Sequence, residues 1–211
     1  MLNGLASNAG YGEQAEELLR QYEGVTFEEV HREVLHLFPE QPSAVLDFGA
    51  GTGRDAAALA ARGHRVVAAE PTAELRRAGQ RIHGDSGIRW VDDALPEAPG
   101  LHAAGERFDL ILLCAVWMHL ADHERPSAMD TLARLVAPGG RVLLSLRHGP
   151  VPPGRRMFEI TPEETVELAR ARGLDLLHVI ERTDLHDRPG VSWHLLGFES
   201  PAPPSRAADR P

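Results

Sequence analysis

Cysteine is nearly absent. Cys114 is the only one among 211 residues, which excludes an intrachain disulfide and a multi-cysteine zinc site and fits a reducing compartment. Long basic runs are missing as well: 31 acidic side chains outnumber 22 lysines and arginines, for a formal charge of -9 with neutral histidines. No lysine-rich tail supplies the positive field needed to hold a phosphate backbone, so nucleic acid is not an expected partner. The one feature opposing that reading is the small cluster Arg147, His148, Arg155 and Arg156. The opening MLNGLASNAGYGEQ has neither the basic segment nor the apolar run of a secretory signal. No stretch is long and apolar enough to span a bilayer, so a membrane is not expected and a cytoplasmic location is the simplest expectation.

What is present suits a folded α/β protein. Apolar residues make up 43% of the chain, and 20 glycines and 16 prolines punctuate it, so the length is expected to fold as one domain over residues 1–199. The segment PAPPSRAADRP has little to bury, so 200–211 reads as a flexible tail. Between about 13 and 38, Ala15, Leu18, Leu19 and Tyr22 share one helical face and Phe27, Val30, Val34, Leu35 and Phe38 another. These two helices, broken near Gly24 and Thr26, are expected to pack on a larger core.

From Ser43 the pattern alternates. SAVLDFG reads as a buried strand, GTGRDAAALAARG as a turn into an alanine-rich helix, and HRVVAAE as the next strand. PTAELRRAGQR follows as a helix with Pro71 in its first position, then GIRWVDD as a strand. RFDLILLC, the helical SAMDTLARLVAPGG stopped by its glycine pair, and the strand RVLLSLRHG come next. PEETVELARARG is a last helix, and LDLLHVIERTD and PGVSWHLLGFES pair as strands through HDRPG.

The chemistry concentrates after the first strand, where Gly49, Gly51 and Gly53 let the backbone turn sharply beside a ligand and leave helix-start amides free for polar atoms. A dinucleotide fingerprint read from Gly49 requires glycine where Arg54 stands, and no lysine followed by serine or threonine closes a phosphate loop. Glu70 ends the next strand, 17 positions beyond Gly53. A carboxylate there can accept from both hydroxyls of an adenosyl ribose.

With these residues the chain resembles the class I S-adenosylmethionine-dependent methyltransferases. Asp47-Phe48-Gly49-Ala50-Gly51-Thr52-Gly53 is similar to the family's cofactor loop and Glu70 to its ribose-binding acid. Asp93 in WVDDALP resembles its adenine-binding acid, Phe108-Asp109-Leu110-Ile111 the start of its fourth strand, and Ala137-Pro138-Gly139-Gly140 the turn before the fifth. The resemblance covers roughly 43–199. It implies S-adenosyl-L-methionine as cofactor and a Rossmann-like seven-stranded sheet in order 3-2-1-4-5-7-6, strand 7 antiparallel, with helices on both faces. It also implies that Asp47 orders the methionine amine, against a loop-stabilising role. Asp92 stands where the family often has a small residue; alternation sends it away from Asp93, although a one-residue shift reverses the two.

Direct in-line attack by an acceptor atom requires mainly positioning, so no metal or protein nucleophile is demanded. Cys114 through His119 follow the fourth strand, where the family sets cofactor and acceptor side by side. Cys114 is expected among the cofactor contacts as an unreactive wall, Trp117 as a wall of the adenine or acceptor pocket, and His119 as the candidate general base. His119 and His123 are four apart, but without a separated third ligand they do not specify a metal. Arg147, His148 and Arg156, in a proline-rich loop after the fifth strand, and Trp193 in the last strand are the candidate acceptor contacts. The acceptor is expected to be a small molecule, with an anionic group suiting those arginines. A methyltransferase acting on protein or RNA, or a noncatalytic cofactor-binding domain, remains the alternative; turnover and a deep narrow pocket discriminate them.

Overall fold

The computed structural model describes residues 11–12 and 15–202. Seven strands form one sheet: β1 (Ala44–Phe48), β2 (Arg65–Ala69), β3 (Arg89–Val91), β4 (Phe108–Leu113), β5 (Val136–His148), β6 (Asp175–Thr183) and β7 (Ser192–Glu199). Their order is β3-β2-β1-β4-β5-β7-β6, as the resemblance implies. Pairings from β3 to β5 are parallel, and β7 runs antiparallel to both β5 and β6.

Among the described residues seven α-helices accompany them: α1 (Ala15–Glu23), α2 (Phe27–His31), α3 (Arg54–Ala61), α4 (Ala73–Ile82), α5 (Pro99–Ala104), α6 (Arg125–Leu135) and α7 (Pro162–Arg170). The central strands read as unbroken apolar runs because both their faces are covered. All five residues of β1 are buried. On one face Leu46, Ile111 and Leu144 pack with Leu101 of α5, Met129 and Leu132 of α6 and Ala169 of α7. On the other, Val45, Leu110, Leu112 and Leu143 pack with Phe27 of α2, Leu59 of α3, and Val34 and Leu37.

Three boundaries differ from the sequence reading. The second helix leaves α geometry after His31 and continues as a 3-10 turn, Arg32–Leu37. It starts at a capping box in which the Glu29 amide donates to the Thr26 hydroxyl at 3.2 Å and Glu29 accepts from the Thr26 amide at 2.7 Å. It stops at Phe38, which Pro39 biases towards the extended backbone it adopts. Pro71 lies outside α4, whose N-cap is Thr72, because the Thr72 amide is drawn to the Glu70 carboxylate at 2.7 Å. Finally, α6 ends at Leu135 rather than at the glycine pair, since Val136 already pairs with Phe108 and the 137–140 segment is carried in β5 opposite a register shift in β4.

The expected helices at 13–38 are described from residue 15, and 203–211 of the expected tail lie outside the described residues. No helix among the described residues is long and apolar enough to cross a membrane.

Candidate active site

A cavity of about 600 Å³ opens at the carboxyl ends of β1, β4 and β5, with residues of α1 and α2 in its lining. One half is built on the turn after β1. Gly49 has φ +65, and a Cβ on it would lie 2.5 Å from Val116 Cγ2, so only glycine allows the loop to pass beneath the residues after β4. Glu70 is buried and its two oxygens accept from the Gly51 and Thr72 amides at 2.8 and 2.7 Å. Burial pushes its pKa up, and those amides and Arg76 oppose the rise. Each oxygen keeps a lone pair for a further donor from the cavity.

Asp47, 2% exposed, lies under the loop, and its Oδ2 is buried without a hydrogen-bond partner among the described residues. Burial, reinforced by neighbouring Asp55, raises its pKa well above the ordinary carboxylate value. Such a group is stabilised by an incoming cation or donor. Asp93 is buried at the far end of this half, accepting from the Leu101 and Ala94 amides at 2.7 and 3.1 Å. Asp92 is exposed and pairs with Arg76 at 3.1 Å, so the two adjacent acids do diverge.

The second half lies over β4, β5 and β7. His119, at the end of a 3-10 turn (Trp117–His119), is buried. Its Nδ1 donates to the Arg156 carbonyl at 2.6 Å, and its Nε2 accepts from the Tyr11 hydroxyl at 2.8 Å. A carbonyl can only accept, so Nδ1 carries a proton, and in the neutral ring Nε2 is then the acceptor. Burial lowers its pKa, and Arg155, Arg156 and Arg147 add to the effect. The Arg155 guanidinium lies 3.5 Å over the Tyr11 ring. Farther along are Arg147, Trp193, Arg182 and Arg188. Trp193 Nε1 donates to Asp184 at 2.8 Å, and Arg188 clamps the same carboxylate at 2.6 and 2.9 Å.

A family model described as a methyltransferase domain matches residues 18–187. The chain belongs to the class I S-adenosylmethionine-dependent methyltransferases. It is similar to ubiquinone biosynthesis O-methyltransferases of Rhizobium johnstonii, 30% identical over 75% of this chain and 66% of that protein, and of Cereibacter sphaeroides, 32% identical over 78% and 72%. The chain thus spans about two thirds to three quarters of these relatives' lengths. The fold is shared with a TehB-like S-adenosylmethionine-dependent methyltransferase of Corynebacterium glutamicum at a TM-score of 0.68 and 20% identity, covering 89% of this chain and 98% of that one.

In this methyltransferase the donor set suits the cofactor: the orphaned buried acid Asp47 suits a cationic amine, and Glu70 keeps acceptor capacity for hydroxyls. Asp47, Gly49, Ala50, Gly51, Thr52, Glu70, Asp93 and Cys114 all line the cavity. Gly53 does not. At φ +87 it starts α3 against Trp90, whose ring would stand 2.7 Å from a Cβ, so its role is close packing. Burial pushes the Cys114 thiol up to about 12, which keeps it protonated. His31, Asp55 and Cys114 bring ligand atoms within 4.8 Å of one another, but Arg54 already bonds both Asp55 oxygens at 2.7 and 3.0 Å and supplies the positive charge there.

On the acceptor side His119, Arg147 and Trp193 line the cavity, and three expectations require correction. Trp117 is fully buried in the core, because the 3-10 turn carries it under the sheet rather than along the pocket. His148 follows Arg147 along β5, and alternation turns it to the opposite face, where it meets His194 at 2.9 Å. Arg156 is not in the lining; its guanidinium pairs with Glu124 at 3.2 Å, and only its carbonyl serves the site, through His119.

Sequence reasoning missed Tyr11, Tyr22, Arg54 and Arg182. Arg54 registered only as the residue that spoils a dinucleotide fingerprint, although an arginine followed by aspartate at a helix start is a visible pairing signal. Tyr11 precedes any periodic segment and gives no such signal.

Proposed function

We propose that the protein transfers a methyl group to a small-molecule acceptor held over β4, β5 and β7, with His119 and Tyr11 receiving the acceptor's proton. The observation that carries this reading is one continuous cavity joining the glycine turn and Glu70 to His119. A pocket recessed beneath α1 and α2 suits a metabolite better than a protein surface. The relatives' names, which place them in ubiquinone biosynthesis, agree with a small acceptor.

Glu70 would hold the ribose hydroxyls, Asp47 the amino group and Asp93 the adenine edge. When bound, S-adenosylmethionine supplies an electrophilic methyl on a positively charged sulfur, which departs as the neutral thioether of S-adenosylhomocysteine. The protein's own contribution is orientation and proton removal. Tyr11 gives its hydroxyl proton to His119 Nε2 as it takes the proton from the acceptor atom, so the pair ends as imidazolium and neutral phenol. The Arg156 carbonyl on Nδ1 favours that imidazolium.

The test is calorimetric titration followed by isotope tracing. The protein should bind S-adenosylhomocysteine but not a nicotinamide dinucleotide, and methyl-labelled S-adenosylmethionine should transfer its label to one component of a small-metabolite extract. Labelling of protein or RNA alone would refute the acceptor class.

A further inference from the structure

We propose that the acceptor is a planar molecule bearing a carboxylate, bound by Arg182 and Arg147 across the face of Trp193. This rests on the methyltransferase reading and specifies its acceptor.

Strand register creates the site. Trp193 pairs with Arg147 of β5 on one side and with Arg182 of β6 on the other. Directly paired residues on neighbouring antiparallel strands project from the same face, so the three form a row of cation, indole and cation. All three line the cavity. The inward row on the same face continues with Ser145 and Leu195, and Val30 and Val34 contribute from the covering segment. This part of the cavity therefore sets the apolar Leu195, Val30 and Val34, with Ser145, beside the two cations.

Neither cation of this row forms an ion pair among the described residues. Asp184 is the acid beside it, and Arg188 and the Trp193 indole use both its oxygens. Glu33 and Asp184 attract Arg182, yet among the described residues neither forms an ion pair with it. Nε and Nη1 of Arg182 are buried and have no hydrogen-bond partner among the described residues. Two buried donors on a permanent cation are costly unless an acceptor arrives. Arg147 spends Nη1 on the Pro150 carbonyl at 2.9 Å and adds its charge from the other side. The Arg182 guanidinium lies 6.0 Å from the Trp193 ring, and the ring is pinned by Asp184, so it offers a fixed surface for a flat group.

The experiment uses the full chain saturated with S-adenosylhomocysteine and two matched probe pairs, benzoate with benzamide and cinnamate with cinnamamide, with binding followed by ligand-observed NMR. At least one carboxylate should bind about tenfold or more tightly than its amide. Arg182→Gln should reduce that ratio to near unity while the S-adenosylhomocysteine dissociation constant stays within about twofold, and Arg147→Gln should reduce it partly. Equal binding within both pairs, absence of carboxylate binding, or an undiminished ratio in Arg182→Gln overturns the carboxylate subsite and leaves the methyltransferase reading standing. Failure of the wild type to bind S-adenosylhomocysteine overturns both.

Discussion

At Glu70 one carboxylate already holds the loop, its two oxygens accepting from the amides of Gly51 and Thr72, and in our proposal it also meets the ribose hydroxyls. Glu70→Ala is expected to weaken S-adenosylhomocysteine binding by about 1.5 to 3 kcal/mol, roughly ten- to a hundredfold, in a protein that still folds; calorimetry with circular dichroism checks both parts. His119 separates binding from turnover. His119→Ala should lower kcat with little change in cofactor affinity, because only the acceptor half of the cavity contains the ring. The base must be unprotonated to act, and burial with the nearby arginines holds its pKa below the ordinary value. The acid limb of the kcat profile should therefore lie below about pH 6.5, the unperturbed histidine value, and it should vanish in the alanine variant. A limb at or above that pH would assign the titration to another group.

At the scale of elements, the cover over the site depends on how α2 begins. Thr26 and Glu29 close the capping box that starts it, and His31 at its end bonds Asp55 at 3.0 Å. Thr26→Ala should cost about 1 kcal/mol in urea unfolding and raise amide exchange in α2 before it does so in the sheet. The strands were legible because parallel strands covered on both faces leave unbroken apolar runs, as in AVLDF, and the turn after β1 was legible because its glycines and Glu70 come from one βαβ unit with fixed spacing. The acceptor half was less so. Its walls come from α1, β4, β5, β6 and β7, which nothing in linear spacing relates. Arg147 and His148 look alike on paper, yet a strand sends neighbours to opposite faces. Arg182 lies in an edge strand of alternating exposure, where a cation normally reads as a solvent contact. Trp117 depended on a three-residue 3-10 turn that no periodicity announces.

For the molecule as a whole, ligand binding and folding are one linked equilibrium. S-adenosylhomocysteine at a hundred times its dissociation constant should add about 2.7 kcal/mol of stability. For a chain of this size that is a rise of roughly 5 to 11 °C in Tm, which differential scanning calorimetry can read, and a nicotinamide dinucleotide at equal concentration should leave Tm unchanged. The sheet also divides its labour along its width. Asp47, Glu70 and Asp93, which we propose for the cofactor, come from β1 and the turns after β2 and β3, whereas the cationic row belongs to β5, β7 and β6 at the other edge. Asp47, Glu70 and Asp93 lie in one stretch of chain and the three residues of the cationic row in another, so substitutions in one set leave the strands of the other untouched. Exchanging Arg147, Arg182 and Trp193 between relatives of this fold is then expected to alter the preference for a carboxylate while Asp47, Glu70 and Asp93 are inherited unchanged.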